Sequence, residues 1–376
     1  MTSHRLPHVL LLGAALVVSP AESQEPPTTS LSQPDRVSER GFTELVGVKE
    51  LRDGRVILLD KTEARIVLLG RDLDGVRVIG RTGSGPKEYS TPSQLLPLVG
   101  DSSAVRDLGN ARLLLLGPDA EPFGVLNWNE IPGRPLSVFG GDNRGRIYLS
   151  RGGGDRRILM RWAPPSPVLD TITSFSPPGD PGSMGTAILP TSGGFNPFAP
   201  TRAFTVGPGG TVAVVYPEPY RVELITAEGI RREGPTIPFD PVEVTEEHKE
   251  EYLESRSRPR RSGVGVVRGS NTPVRTSGRI PLPEPTWPKL LPPFLSQYAA
   301  MFATDGRLWV RRTTPAGDPP LFDVFDSNGV RVQQVTLPVG RRLLGFGNGT
   351  VYAVVRDELD LEHLERYSLV GGGQRQ

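Results

Sequence analysis

The stretch RDGRVILLD (52–60), continued by ARIVLLGRDLDGVRVIG (64–80), decides the fold. Two short apolar runs rich in Val, Ile and Leu follow one another, and each neighbours an Asp-Gly pair, Asp53-Gly54 and Asp74-Gly75. Asp-Gly is favoured where a tight hairpin needs a positive φ, because glycine has no Cβ to clash. The pattern predicts strand, turn, strand, loop, strand, turn, strand: one four-stranded antiparallel meander. Similar stretches recur along the chain. LGNARLLLLG (108–117), NRGRIYLSR (143–151), GPGGTVAVVY (207–216), TDGRLWVRR (304–312) and GNGTVYAVV (347–355) all pair a turn with an apolar run. YRVELITAEGIRREG (220–234) and LFDVFDSNGVRVQQV (321–335) read as second halves of the same unit.

Taking the first turns near Gly54, Asn110, Gly145, Gly210, Gly306 and Gly349 gives six copies. The tightest spacings, 35 and 43 residues, bracket the roughly 40–45 residues of a four-stranded propeller blade. A lone sheet cannot hide both apolar faces, so the copies must stack, and radial stacking predicts an all-β, six-bladed β-propeller. Wider gaps mark insertions at about 176–200 and 240–295. The last copy has three clear strands and ends ERYSLV (365–370), so the segment near Pro34–Glu44 is expected to close the ring. The expected organisation is a closing segment at 24–40, a propeller at 41–370 and a tail at 371–376.

Composition agrees with a turn-rich globular chain: Gly and Pro account for 83 of 376 residues. The formal net charge of +1 gives no global pull toward nucleic acid or an acidic membrane surface. Residues 1–23 carry Arg5, the apolar run VLLLGAALVV (9–18) and small residues before Gln24, the layout of a cleaved secretory signal. That run is about half the ~20 residues needed to cross a bilayer. The expectation is a periplasmic or secreted protein processed near Ser23, without a membrane span, and monomeric. The chain has no cysteine, so neither a disulfide nor a lipid-modified cysteine is available.

The strand-end segment IGRTGSGPKEYSTPSQL (79–95) resembles the G-x-G-P-x-E-aromatic loop of exported bacterial six-bladed propellers related to NHL-repeat and TolB-like proteins. WPKLLPPFLSQY (287–298) before DGRLWVRR (305–312) is similar to that family's proline-rich run and the strand after it. Lys87 stands where a second glycine is usual. The resemblance implies a propeller and export; it implies no particular activity.

The glycine-rich segment invites a nucleotide reading, which its chemistry rejects. A phosphate-cradling P-loop needs G-x-x-x-x-G-K-[S/T]; here Gly85 is followed by Pro86, Lys87 is one place late and Glu88 replaces the hydroxyl. Proline also removes a backbone donor where donors are wanted. The glycines instead let the chain pass from one blade to the next. That loop opens on the face where propeller ligands sit, making Arg81, Lys87 and Tyr89 candidate contacts, together with Tyr216 and Arg311 at the ends of their strands.

Catalytic signatures are thin. Beyond the leader only His248 and His363 remain, both among glutamates and both expected at solvated positions. Neither has the paired spacing of a zinc motif or a neighbouring nucleophile motif. Reading the inner strands as 42–48, 103–108, 136–141, 203–208, 301–306 and 342–347 leaves Glu44, Asp107 and Asp305 as the acids nearest the channel. A calcium-holding lactonase or lyase needs several such oxygens. No metal, cofactor or nucleic-acid partner is therefore expected. The leading expectation is a non-catalytic module binding a protein or small ligand; the alternative is a hydrolase, lactonase or lyase with a divalent metal in the channel. Residues 241–256 predict a short helix capped by Thr245, followed by an arginine-rich arm (256–279) without acids or interleaved aromatics.

Overall fold

A computed structural model describes residues 25–132, 137–153, 156–176, 196–257, 264–265, 274–275 and 284–369. Six antiparallel meanders stand around one axis. Blade 1 runs through Leu45–Glu50, Val56–Asp60, Arg65–Leu69 and Arg77–Ile79. Blade 2 comprises Pro92–Pro97, Ser103–Asp107, Arg112–Leu116 and Pro122–Asn127. Blade 3 has Ser137–Gly141, Ile147–Gly153, Arg156–Trp162 and Leu169–Phe175; blade 4 has Ala203–Val206, Val212–Pro217, Tyr220–Ile225 and Arg231–Glu233. Blade 5 contains Ala300–Phe302, Leu308–Arg311, Leu321–Phe325 and Arg331–Thr336, and blade 6 Arg342–Gly347, Thr350–Arg356 and Glu362–Ser368. The fold is the all-β, six-bladed propeller that the repeats predict.

The apolar runs now have a packing reason. Second and third strands lie in the middle of each blade with a neighbouring blade on either face, so both sets of alternating side chains are buried. Val56–Asp60 is buried at every position. Six buried clusters fill the six interblade spaces: Ile57, Leu59 and Ile66 meet Val105 and Leu114 between blades 1 and 2, while Tyr352 and Val354 meet Leu45 and Val56 between blades 6 and 1. Toward the axis the inner strands converge and side chains run out of room. A Cβ on Gly140 would lie 2.0 Å from Val206 Cγ1, and one on Gly345 2.6 Å from Val48 Cγ1. Both glycines sit where the strand register shifts against the second strand.

The inner strand of blade 2 corrects the sequence reading. It is Pro92–Pro97, and Ser103–Asp107 is the second strand. The Asn110 turn therefore joins the second and third strands; the first turn of this blade is the Val99–Asp101 segment, with Gly100 at φ 61°. The run after Asn110, RLLLL, is the most apolar of this blade, whereas SAVRD after Gly100 carries an arginine and an aspartate, so the count fixed on the later turn and the register slipped by one strand.

Arg36–Val37 is the outer strand of blade 6, paired antiparallel with Glu365 and Arg366. Ser38 Oγ accepts from the Leu364 amide at 2.9 Å, and Phe42 bridges Glu362. A further strand that the sequence did not suggest, Thr28–Ser30, runs parallel to Arg331–Thr336 as a fifth strand on blade 5. The insertion between blades 4 and 5 holds helix α1, Glu246–Ser257. The helix starts directly after Thr245, the residue expected to cap it, and Val242–Glu243 before it pairs with Leu290–Leu291. Thr245 meets the His248 ring at the first turn, and Glu246 and Glu247 suit the positive helix end. Among the described residues no helix is long and apolar enough to cross a membrane.

Candidate functional site

The connections between blades and the second-to-third-strand turns share one face. A cleft of about 860 Å³ opens there. Its floor is the start of blades 5 and 6, and its walls are the 313–318 turn, the 339–343 connection and helix α1. The helix is fixed over the cleft by an aromatic trio: Tyr252 contacts Phe198 and Trp287 with ring centroids 5.7 Å away in each case. His248, expected in solvent, is buried instead. Its ring engages Thr245 and reaches the Thr314 carbonyl at 3.4 Å, so it seats the helix on blade 5.

Arginines dominate the charged lining: Arg311, Arg312, Arg341, Arg342 and Arg356. Four of them are committed to buried acids. Arg312 meets Asp323 at 2.7 Å, and that carboxylate also accepts from Tyr220. Arg341 meets Glu365 through Nε and Nη2, at 3.1 Å each. Arg342 and Arg356 share Glu362 at 3.0 and 2.9 Å. Glu362 additionally accepts the Leu45 amide at 2.7 Å, so it locks blade 6 to blade 1. Arg311 differs. It is exposed, and among the described residues its side chain has no hydrogen bond or ion pair; desolvation lowers its pKa, with Glu251 of α1 opposing.

The channel mouth continues the theme. Tyr298, 76% exposed, comes from the segment entering blade 5 and lies within electrostatic range of Arg106 on blade 2 and Arg157 on blade 3. It also lines the cleft. Arg106 stacks on Trp128 with its guanidinium 5.7 Å from the ring centroid, and Arg157 on Phe204 at 5.4 Å. Burial lowers both guanidinium pKa values, yet arginine stays charged at neutral pH. Arg106 Nε is buried without a partner, and Arg157 has one hydroxyl contact, Ser150 Oγ at 3.3 Å. The cation at the opposite end of the channel is arranged differently: Lys49 Nζ is satisfied by the Asp101 and Ser102 carbonyls at 2.8 and 2.6 Å. Desolvation pushes its pKa down to about 8 against the pull of Asp101.

The structure separates the residues nominated from sequence. Arg311 lies in the cleft. Arg81 is exposed and paired with Glu88 at 2.7 Å, on a short parallel ladder of Arg81–Thr82 with Glu88–Tyr89. Lys87 is exposed on the same loop. Tyr89 is a core residue, 1% exposed, packed between blades 1 and 2 with its hydroxyl accepting from the Ile66 amide at 3.3 Å. Alternation explains the difference: Glu88 and Tyr89 are adjacent on one strand and point to opposite sides. Tyr216 donates to Glu223 at 2.8 Å and carries Arg221 3.8 Å from its ring centroid. Sequence reasoning missed Arg106, Arg157 and Tyr298, since lone arginines within strands carry no motif.

The acids nominated for the channel serve elsewhere. Asp107, on a second strand, accepts from the Ser90 and Thr91 amides at 3.0 and 2.8 Å and from Asn110. Glu44 pairs with Lys61 and Thr62, both at 2.9 Å; desolvation alone would raise its pKa, but these hydrogen bonds and the Lys61 and Arg342 charges together lower it. Asp305 holds Arg307 at 2.7 Å on the opposite face. Among the described residues no three His, Asp or Glu side chains form a metal-binding group.

No family model matches the chain, and no curated protein matches it. Solved structures of propeller proteins do. Virginiamycin B lyase from Staphylococcus aureus shares 12% identity over 89% of this chain and 99% of its own, with a TM-score of 0.41. A Bacteroides fragilis protein described as exported shares 12% over 90% and 98%, with a TM-score of 0.44. The calcium-binding protein regucalcin from Agrobacterium tumefaciens shares 12% over 90% and 96%, with a TM-score of 0.41. Likeness at this level carries no inference about ligand or activity.

Proposed function

We propose that the protein is an exported, non-catalytic propeller that binds a small ligand or a protein segment in the cleft on its loop-bearing face. The observation that carries this reading is the cleft itself: about 860 Å³, roofed by an anchored helix and lined by arginines. Concave sites of about 300–1,000 Å³ are the usual size for ligand pockets. The acids beside it are already spent on structure, since Glu362 and Asp323 each hold several donors. That weighs against the alternative, a channel-metal hydrolase or lyase, which needs carboxylates free to ligate. Export rests on the layout of residues 1–23, and the affiliation with NHL-repeat and TolB-like propellers on the 79–95 and 287–312 motifs.

The test is a binding screen of a charge-sorted peptide library and a small-molecule panel by thermal shift. It is run on the wild-type chain and on Ala316→Trp, which places an indole in the cleft wall. Ligands that raise the wild-type melting temperature and lose that effect in the variant support the reading. Turnover of a lactone or ester, abolished by chelator, overturns it. N-terminal sequencing of the processed protein should begin at Gln24, and an intact leader in the purified product would refute export.

A further inference from the structure

We infer that the ligand is an oxyanion-bearing molecule, gripped at the channel mouth between Arg106 and Arg157 on one side and Arg311 on the other. This inference rests on the cleft-binding reading and names its ligand class. Guanidinium groups removed from water normally meet a carboxylate or several carbonyls, because an unpaired buried cation is costly. Elsewhere around this face the rule holds: Arg312, Arg341, Arg342 and Arg356 all have acids within 3.1 Å. Among the described residues the part-buried Arg106 has no such partner and the part-buried Arg157 only the Ser150 hydroxyl; Arg311, exposed in the cleft, makes no ion pair either and presents its charge to whatever enters. Arg106 is the sharpest case: its Nε is buried and unsatisfied, as is that of Arg312, but Arg312 holds Asp323 through Nη1 while Arg106 has no hydrogen bond or ion pair among the described residues.

The three are not random surface cations. Aromatic faces fix two of them: the Trp128 ring lies 5.7 Å from the Arg106 guanidinium and the Phe204 ring 5.4 Å from that of Arg157. Stacking holds a planar guanidinium in place while leaving its N–H edge free, the edge that matches a carboxylate or phosphate in bidentate fashion. They come from blades 2, 3 and 5, Arg106 and Arg311 near the ends of second strands and Arg157 near the start of a third, so all three lie toward the loop-bearing face. Tyr298, reaching over from the blade 5 side, connects the mouth to the cleft: it borders the cleft near Arg311 and is the electrostatic neighbour of Arg106 and Arg157. Its exposed phenol is a further donor for the same anion. The spread over three blades suits a molecule with more than one anionic group, a polycarboxylate or a phosphoryl compound.

The experiment is isothermal titration of the purified chain with citrate and, separately, with inorganic phosphate at constant ionic strength. Saturable binding is expected, reduced at least tenfold in Arg106→Gln and in Arg311→Gln and unchanged in Arg52→Gln, an arginine exposed on the opposite face. Tighter citrate binding assigns a polycarboxylate, and tighter phosphate binding a phosphoryl ligand. If Arg106→Gln does not fold, the Arg311→Gln titration decides. Absence of saturable binding by either anion overturns the inference, as does equal weakening in Arg52→Gln or wild-type affinity in both mouth variants. Neutral ligands that bind and are lost in Ala316→Trp would keep the cleft reading while this inference falls. Failure of every ligand in both assays sinks both.

Discussion

The ring of His363 joins the two ends of the propeller: its Nδ1 lies 2.9 Å from the Ser38 carbonyl oxygen, and its Nε2 3.1 Å from Asp357 Oδ2. A neutral imidazole has one N–H and satisfies one of these acceptors; the imidazolium donates to both. The Ser38 carbonyl raises the His363 pKa most, Asp357 adds to it, and partial burial opposes them. Because the folded-state pKa is raised, its stabilisation is complete below the unfolded value of about 6.5 and is lost as pH climbs through the folded value. The wild-type melting temperature should therefore fall more between pH 6 and 8 than that of His363→Gln. Parallel pH profiles for the two proteins would exclude this role.

Glu362 is a second tie, and a stronger one. It is buried and accepts from the Leu45 amide, Arg342 and Arg356, so blade 1, blade 6 and the cleft wall meet on a single carboxylate. Removing one partner of such a set costs about 3–5 kcal/mol when the remainder stays buried. Both arginines keep some access to water, so Glu362→Ala should cost about 3 kcal/mol, the low end. Urea denaturation measures it. A loss below about 1 kcal/mol would show that the blades are held without this acid.

How much of this was legible beforehand follows from what each feature depends on. Repeated Gly-containing turns between β-branched runs reveal blades because both signals are local. The register of blade 2 slips because SAVRD, the strand after Val99–Asp101, is too polar to stand out beside RLLLL after Asn110. Tyr89 was misplaced for a related reason: loop composition suggested exposure, while the residue belongs to a two-residue ladder that turns it inward. The mouth arginines come from strands far apart in sequence, and only the closed ring brings them together. Their nearest local signal is the pairing of Arg106 with Trp128 across 22 residues, too distant to be read without the register.

Gly140 tests the packing at the axis. A side chain there meets Val206 of the next inner strand at 2.0 Å, a contact that forces one strand to move. Overpacking of this kind typically costs about 1–3 kcal/mol. Gly140→Ala should lie in that range, and adding Val206→Ala should recover most of the loss by removing the opposing methyls. A double variant no more stable than the single one would place the strain elsewhere.

Chelation separates the two functional readings without knowledge of the ligand. A metal bound only by the folded state stabilises it by RT ln(1 + [L]/Kd), about 2.7 kcal/mol at a hundredfold excess over Kd. In a domain of this size even half that amount moves the melting temperature by a measurable degree or more. The carboxylates that the sequence placed nearest the channel offer little for such an ion: Asp107 is saturated by two backbone amides and Asn110, and Glu44 is held by Lys61 and Thr62. A ligating carboxylate would have to leave those donors, exposing buried amides to a new deficit. The expected result is an unchanged melting temperature after dialysis against EDTA, with or without added calcium. A reproducible drop restored by calcium, and missing in Asp107→Asn or Glu44→Gln, would transfer the channel from the binding reading to the metal-dependent one.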